Sequence, residues 1–365
     1  MFGILSFSTE VIFGVIAFLT LLVLVIGWNK LSGKKFRHIF ARVFIIIFIQ
    51  IFILASIGIG LNRYGEFYAS WGELFGTKSN LAAIATKTSA LKLLSAQDTK
   101  KADHTPGGSL IFKEVITGEK SGISDYVFVV TSPKLTKELE TGTTPSIGTS
   151  YQVIELFPGF PGVPQTWIGA LGLVKHLESL ESEGKIPPTI AIIPAINVVR
   201  GVDTECLNVP SVADVEDWLT VDMHAFANNF LGLDQRKWST FGFSAGGWCA
   251  AEIAIRHPDL YSQGVSLAGY YTPSFSKGIS RKTRDALTRE YDIAKTAVNQ
   301  PVNPRLMLIY SPKDHFSYLS TKKFISTVGT SIQTSLVTIP SGGHNIKVWK
   351  PYVATGLEWL AQGVS

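Results

Sequence analysis

Five residues past the middle of the chain, Gly242-Phe243-Ser244-Ala245-Gly246, have the types and spacing that let a serine act as a nucleophile. In a G-x-S-x-G stretch the serine occupies a sharp strand-to-helix turn, and the flanking glycines keep Cβ atoms out of a crowded bend. The string by itself also occurs in ordinary glycine-rich loops. Here it closes a β-rich run, WSTFGFS, and opens an alanine-rich helical run, AGGWCAAEIAIRHP. A helix start beyond the turn also favours negative charge developing beside Ser244.

A serine hydroxyl needs a base to take its proton, and the base needs an acid to orient it. Around this kind of turn the three follow the chain order Ser, Asp or Glu, His. Of the seven histidines, His344 is the expected base: it lies in SGGHN, between the last strand-like run and the last helical one. His176 and His224 fall inside helical runs, and His257 ends the helix after Ser244 as a C-terminal cap. Asp314, just after the strand-like RLMLIYS, is the expected acid, with His315 beside it read as a rim residue. An oxyanion formed on attack needs two backbone N–H donors. Ala245 supplies one. Phe160 supplies the other from Pro158-Gly159-Phe160-Pro161-Gly162, because proline has no N–H to give.

These residues need elements to hold them. From about residue 109 short β-rich runs alternate with helical ones: strands at 109–117, 125–132, 151–158, 189–195, 238–244, 264–269, 305–311 and 334–340, helices at 166–184, 211–230 (with Ser211 as N-cap), 245–258, 281–300 and 352–362. The later strands are continuously apolar, as strands buried on both faces of a mainly parallel sheet must be. The first strands, joined only by a loop, are expected to pair antiparallel. The result is an α/β layered sheet with helices on both faces.

Before that domain the composition is different. Residues 11–28 and 43–61 are apolar runs long enough to span a bilayer as a helical hairpin, and residues 63–108 form a connector with a helix at 81–96. Lys30, Lys34, Lys35, Arg37 and Arg42 fill the loop between the runs, while the first ten residues hold no Lys or Arg. That asymmetry puts the loop in the cytoplasm and the domain at 109–365 outside. It also accounts for much of the net charge of +5, which argues against a nucleic-acid partner. Only two cysteines occur. Cys206 lies in a loop that can cross the sheet edge and Cys249 on the helix after Ser244, so outside the cell a disulfide would pin that loop to the helix; two separate buried thiols are the alternative. No His, Cys and Asp grouping has metal-ligand spacing, so neither metal nor cofactor is expected, and the chain names no protein partner.

The PGFPG loop, GFSAGGWCAAEIAIRHPDLY, the aspartate after the seventh strand and GGHNIKVWKPYVATGLEWLA together resemble the esterase D-like family of α/β-hydrolases. Within it the chain is similar to the actinobacterial, membrane-anchored branch related to the mycobacterial mycolyltransferases, in which a DTEC loop accompanies GWCA. The resemblance spans roughly residues 110–365. It implies an α/β-hydrolase fold, a Ser244–His344–Asp314 triad, an oxyanion hole at Phe160 and Ala245, and a carboxylesterase or acyltransferase acting on envelope lipids or glycolipids. It also suggests Gln165, Trp167, Asp203 and Glu205 as pocket residues. The secreted mycolyltransferases have a basic residue soon after the oxyanion glycine, whereas this loop reads FPGVPQTW, a departure that bears on sugar binding.

Overall fold

The computed structural model describes residues 7–31, 33, 35–65, 71, 103–140, 151–231, 233, 237–276, 278–340 and 342–363. Most of the 63–108 connector, with the helix expected at 81–96, lies outside the described residues. The chain divides into two units, Met1–Ala82 and Ala83–Ser365.

The first unit is built on α1 (Phe7–Leu31) and α2 (Phe36–Gly65), which extend the two apolar runs at both ends. Both are long and apolar enough to cross a membrane; 25 residues of helix rise about 37 Å against a hydrocarbon layer of about 30 Å. They pack antiparallel. The Phe13 and Phe52 rings are 5.3 Å apart, Ser56 Oγ donates to the Glu10 carbonyl at 3.0 Å, and Gly14 lies against Ser56. Small residues let the two backbones approach there. Val23, Ile26, Phe44 and Leu54 are exposed, so apolar side chains also cover the outside of the pair.

The second unit is organised by one sheet. Its strands are β1 (Asp103–His104), β2 (Leu110–Thr117), β3 (Ser124–Thr131), β4 (Gln152–Phe157), β5 (Thr189–Pro194), β8 (Trp238–Phe243), β9 (Tyr261–Leu267), β10 (Arg305–Tyr310) and β11 (Thr334–Thr338). They lie in the order β1-β2-β3-β5-β4-β8-β9-β10-β11. From β5 to β11 all neighbours are parallel, while β1 to β3 are antiparallel and β3 meets β5 antiparallel. A two-residue pair, β6 (Asn208–Val209) and β7 (Ala213–Asp214), stands apart.

The apolar runs follow from burial on both faces. In β4, Val153 and Phe157 enter one core while Ile154 and Leu156 enter the other. The first core receives Trp218, Trp248 and Ile253 from the helices above it; the second receives Leu177, Val353 and Leu357. Chain order reverses at β4, which has β5 on one side and β8 on the other. In such sheets the crevice beyond the carboxyl ends of the strands at the reversal is where ligands bind.

The helices depart from expectation in instructive ways. The 166–184 helix is two, Gln165–Ile168 and Leu173–Ser182, broken where Gly172 takes a left-handed φ of 69°. Ser211 caps no helix: with φ 64° it sits in the turn between β6 and β7, and the helix begins at Val215. That helix, 215–231, includes two π-helical turns, Trp218–Asp222 and Ala227–Leu231. The 281–300 helix splits into Arg281–Glu290 and Ile293–Asn299, with Asp292 capping the second by accepting from Lys295 N–H. Unanticipated helices among the described residues include Pro133–Glu140, His315–Val328 and the short Ile346–Trp349.

Candidate active site

Ser244 sits between β8 and the helix Ala245–Arg256, with φ 60° and ψ −121°, a conformation that L side chains seldom adopt. Its N–H is held by the Leu267 carbonyl at 2.9 Å. The two flanking glycines are steric necessities. A Cβ on Gly242 would lie 1.7 Å from the Gly246 carbonyl oxygen, and one on Gly246 would lie 2.1 Å from that of Phe157. The bend closes only because both are absent.

Ser244 Oγ is 2.7 Å from His344 Nε2, and His344 Nδ1 is 2.5 Å from Asp314 Oδ2. The hydrogen bonds therefore run unbroken from hydroxyl through imidazole to carboxylate. His344 is set from below: Ser311 Oγ donates to the Gly342 carbonyl at 2.7 Å, Trp349 Nε1 donates to that of Gly343 at 3.0 Å, and the Phe243 ring stacks on the imidazole at 5.6 Å. Asp314 caps the helix His315–Val328, its Oδ1 accepting from Ser317 N–H at 3.5 Å. Burial alone would raise the Asp314 carboxyl. The hydrogen bond and charge of His344, with the bonds from Ser317, outweigh it and hold the group below its usual range. The carboxylate is buried while the imidazole is 41% exposed, so the end of the relay nearest Ser244 stays open to a ligand.

Phe160 lies in the loop after β4, and a Cβ on neighbouring Gly159 would be 3.1 Å from Ser244 Cβ. This loop leans on the serine. The Phe160–Pro161 peptide is cis. Ala245 begins the helix, with no intrahelical acceptor for its N–H at that position. Among the described residues, neither the Phe160 nor the Ala245 N–H donates to a backbone carbonyl outside the regular elements.

Cys206 and Cys249 are disulfide-bonded, with Cα atoms 5.7 Å apart. The bond ties the 203–206 loop to the helix one turn beyond Ser244. Trp248 Nε1 adds a hydrogen bond to the Glu205 carbonyl at 2.9 Å. Glu205 itself is 1% exposed and Asp203 8%. Both Glu205 oxygens accept from Tyr270 Oη at 2.8 Å, and Asp203 Oδ1 accepts from Glu205 N–H at 2.9 Å. Burial pushes Asp203 up to about 6, against the pull of that N–H. Burial, then the neighbouring Asp203 charge, drives Glu205 well above its usual value. Gln165 is half-buried at the start of its short helix, its Oε1 accepting from Tyr126 Oη at 3.4 Å. Trp167 is a correction: it is fully buried, its ring 4.9 Å from that of Phe241, and belongs to the core rather than to a pocket wall.

The other histidines sit in different surroundings. His315 is exposed at the first turn of its helix. His224 stacks on Trp238 at 3.6 Å and bonds to Tyr261 Oη, and burial lowers it to about 4. His257 is the C-cap expected, and its side chain bonds to Glu216. One residue missed by sequence reading is Asn197, beyond β5, whose Nδ2 donates to Gly159 at 3.1 Å and to Gly162 at 2.6 Å.

No family model matches the chain. It is 24% identical to an uncharacterized protein of Corynebacterium glutamicum, over 58% of this chain and 52% of the relative, so the match spans about half of that protein's length. Among solved structures, a ferulic acid esterase aligns over 70% of this chain and 98% of its own with 13% identity and a TM-score of 0.57. An S-formylglutathione hydrolase of Agrobacterium tumefaciens aligns over 72% and 98% with 15% identity and a TM-score of 0.57. MPT51 of Mycobacterium tuberculosis aligns over 70% and 99% with 14% identity and a TM-score of 0.52. The likeness is one of architecture, and it is clear: the second unit has the α/β-hydrolase fold, as the motifs imply.

Proposed function

We propose that the chain is a membrane-anchored serine esterase that cleaves carboxylic esters, those of envelope lipids or glycolipids, on the extracytoplasmic side. One observation carries the reading: the hydrogen-bonded run Ser244–His344–Asp314, with the serine on a strained turn at the carboxyl end of a central strand. Likeness in fold to a ferulic acid esterase and an S-formylglutathione hydrolase supports it.

The chemistry follows from the atoms. His344 Nε2 takes the Ser244 proton as Oγ attacks the ester carbonyl, and Asp314 holds the imidazole in the required orientation and balances its charge. Phe160 and Ala245 N–H groups receive the oxyanion, which needs donors already in position when charge develops. The proton returns to the departing alkoxide, and water enters by the same route to release the acid. A sugar hydroxyl in place of water would make the reaction an acyl transfer. On this reading residues 1–62 are the anchor, 63–108 the connector and 109–365 the catalytic domain, with β1 adding a short strand from within the connector. Two apolar helices with a basic loop between them support insertion with that loop in the cytoplasm.

A fluorophosphonate probe is expected to label the wild-type protein and not Ser244→Ala; an unlabelled, folded wild type would overturn the enzyme reading. Product analysis of a short-chain ester with and without added trehalose or glycerol separates hydrolysis from transfer. Externally added protease should remove the second unit from intact cells, and its survival would reverse the topology.

A further inference from the structure

We infer that Asn197 is the positioning residue of the oxyanion loop, an assignment that rests on the esterase reading above. Its amide nitrogen donates to two carbonyls of one loop, Gly159 at 3.1 Å and Gly162 at 2.6 Å, on either side of Phe160. Two carbonyl acceptors require an N–H₂ group; an amide oxygen or a carboxylate turned the same way would face lone pairs with lone pairs.

The consequence lies in peptide geometry. In a trans peptide the C=O and the following N–H point in opposite directions across one plane. The Gly159–Phe160 bond is not among the cis peptides, so drawing the Gly159 carbonyl toward Asn197 turns the Phe160 N–H the other way. The second bond closes the loop, whose turn is already tight: a Cβ on Gly162 would lie 2.9 Å from the Gly159 oxygen. Because a Cβ on Gly159 would lie 3.1 Å from Ser244 Cβ, the space between the loop and the nucleophile is also narrow. Asn197 thus fixes which way the donor points, without touching substrate.

The residue is itself held firmly. Just before it, Ala195 N–H donates to Tyr126 O at 3.2 Å and Ala195 O accepts from Trp218 Nε1 at 3.0 Å, while Ile196 is buried in the core. The amide therefore projects from an anchored backbone just beyond a central strand, and of the loop's carbonyls it takes the two on either side of Phe160. A residue serving stability alone would need no such aim at both flanks of Phe160.

The test uses the full chain in detergent, wild type beside Asn197→Ala and Asn197→Asp, with a soluble short-chain ester and the fluorophosphonate probe. Removing an oxyanion donor outright costs about 10²–10³ in kcat, so misdirecting one should lower kcat by about tenfold or more at little-changed KM and slow the probe in parallel. Asn197→Asp, nearly the same shape without the donors, should be the worse of the two. Thermal midpoints taken alongside separate a folding loss, which scales the active fraction but leaves the kcat of the folded molecules intact. Wild-type kcat in both folded variants would overturn the assignment, as would a change confined to KM. Failure of the wild type to react with probe and ester would instead overturn the esterase reading.

Discussion

Asp314 and Glu216 each accept a hydrogen bond from a histidine: Oδ2 from His344 at 2.5 Å, Oε1 from His257 at 2.8 Å. Both carboxyls are held below their usual range although burial opposes this in each, Glu216 down to about 2. The surroundings then diverge. Glu216 is also claimed by Arg256 Nε at 3.0 Å and by Tyr291 Oη at 2.5 Å, within a packed layer where Glu155 and Glu252 are fully buried. Asp314 serves a histidine whose far nitrogen meets Ser244 at the carboxyl end of β8. A carboxylate–imidazole pair is therefore no signature of a site. What distinguishes the candidate site is the hydroxyl beyond the ring, set on a strained turn, and open access at that end.

The comparison can be broken most directly by substituting each histidine. His344→Ala should lower ester turnover by roughly 10⁴-fold or more, the scale of losing a triad base, while His257→Ala leaves kcat within about twofold. Equal losses, measured with one soluble ester, would make the two pairs functionally alike. Next in size, Glu216→Gln removes the charged acceptor shared by Arg256, His257 and Tyr291 and leaves Arg256 with the Glu252 carboxyl at 3.3 Å; it should cost about 3 kcal/mol in denaturant unfolding with kcat of the folded fraction unchanged. Unchanged stability would show the second pair to be idle as well. Opening the disulfide by Cys206→Ser with Cys249→Ser should remove about 2–4 kcal/mol and reach the site too, since the 203–206 loop rests on the helix after Ser244. Full stability and activity in that variant would detach the loop from the comparison.

A last effect concerns pH. Burial raises Glu155 to about 8, although the Tyr261 hydroxyl donating to it at 2.6 Å pulls the other way. A folded value above the unfolded one, about 4.3 for glutamate, means that the protonated form favours folding. Its contribution is complete below about pH 4 and is lost as the pH climbs to about 8. Glu155→Gln should therefore flatten the decline of the thermal midpoint between pH 5 and pH 9, and parallel profiles for variant and wild type would remove Glu155 from the account.

Much of the candidate site was legible because its requirements are local. The elbow glycines, the serine between strand and helix, and the acid and base after the last strands each leave a mark within a few residues. The eight main strands were legible for a related reason: burial on both faces forces runs such as TIAIIP and RLMLIY. What escaped notice depends on distant chain. Asn197 is an ordinary loop asparagine until the 159–162 loop lies opposite it, 35–38 residues away. Trp167 follows a loop that looks substrate-facing, and only the packing of Phe241 shows that its ring turns inward. Ser211 has the composition of a helix cap, but the β6–β7 pairing uses it as a turn. The helix His315–Val328 was missed because HFSYLSTKKFISTV mixes β-branched and hydroxyl side chains without a clean apolar stripe.

The two elbow glycines also bear on how such a chain drifts. Positions 242 and 246 are constrained by space rather than by chemistry, since any side chain there meets backbone within about one bond length or two. Apolar core positions are freer, since one hydrophobic side chain there exchanges for another of similar volume with little loss. A lineage under those rules accumulates differences across its surface and core while a few points stay frozen. The backbone itself survives such exchange: this chain aligns with solved structures over 98–99% of their length at 13–15% identity.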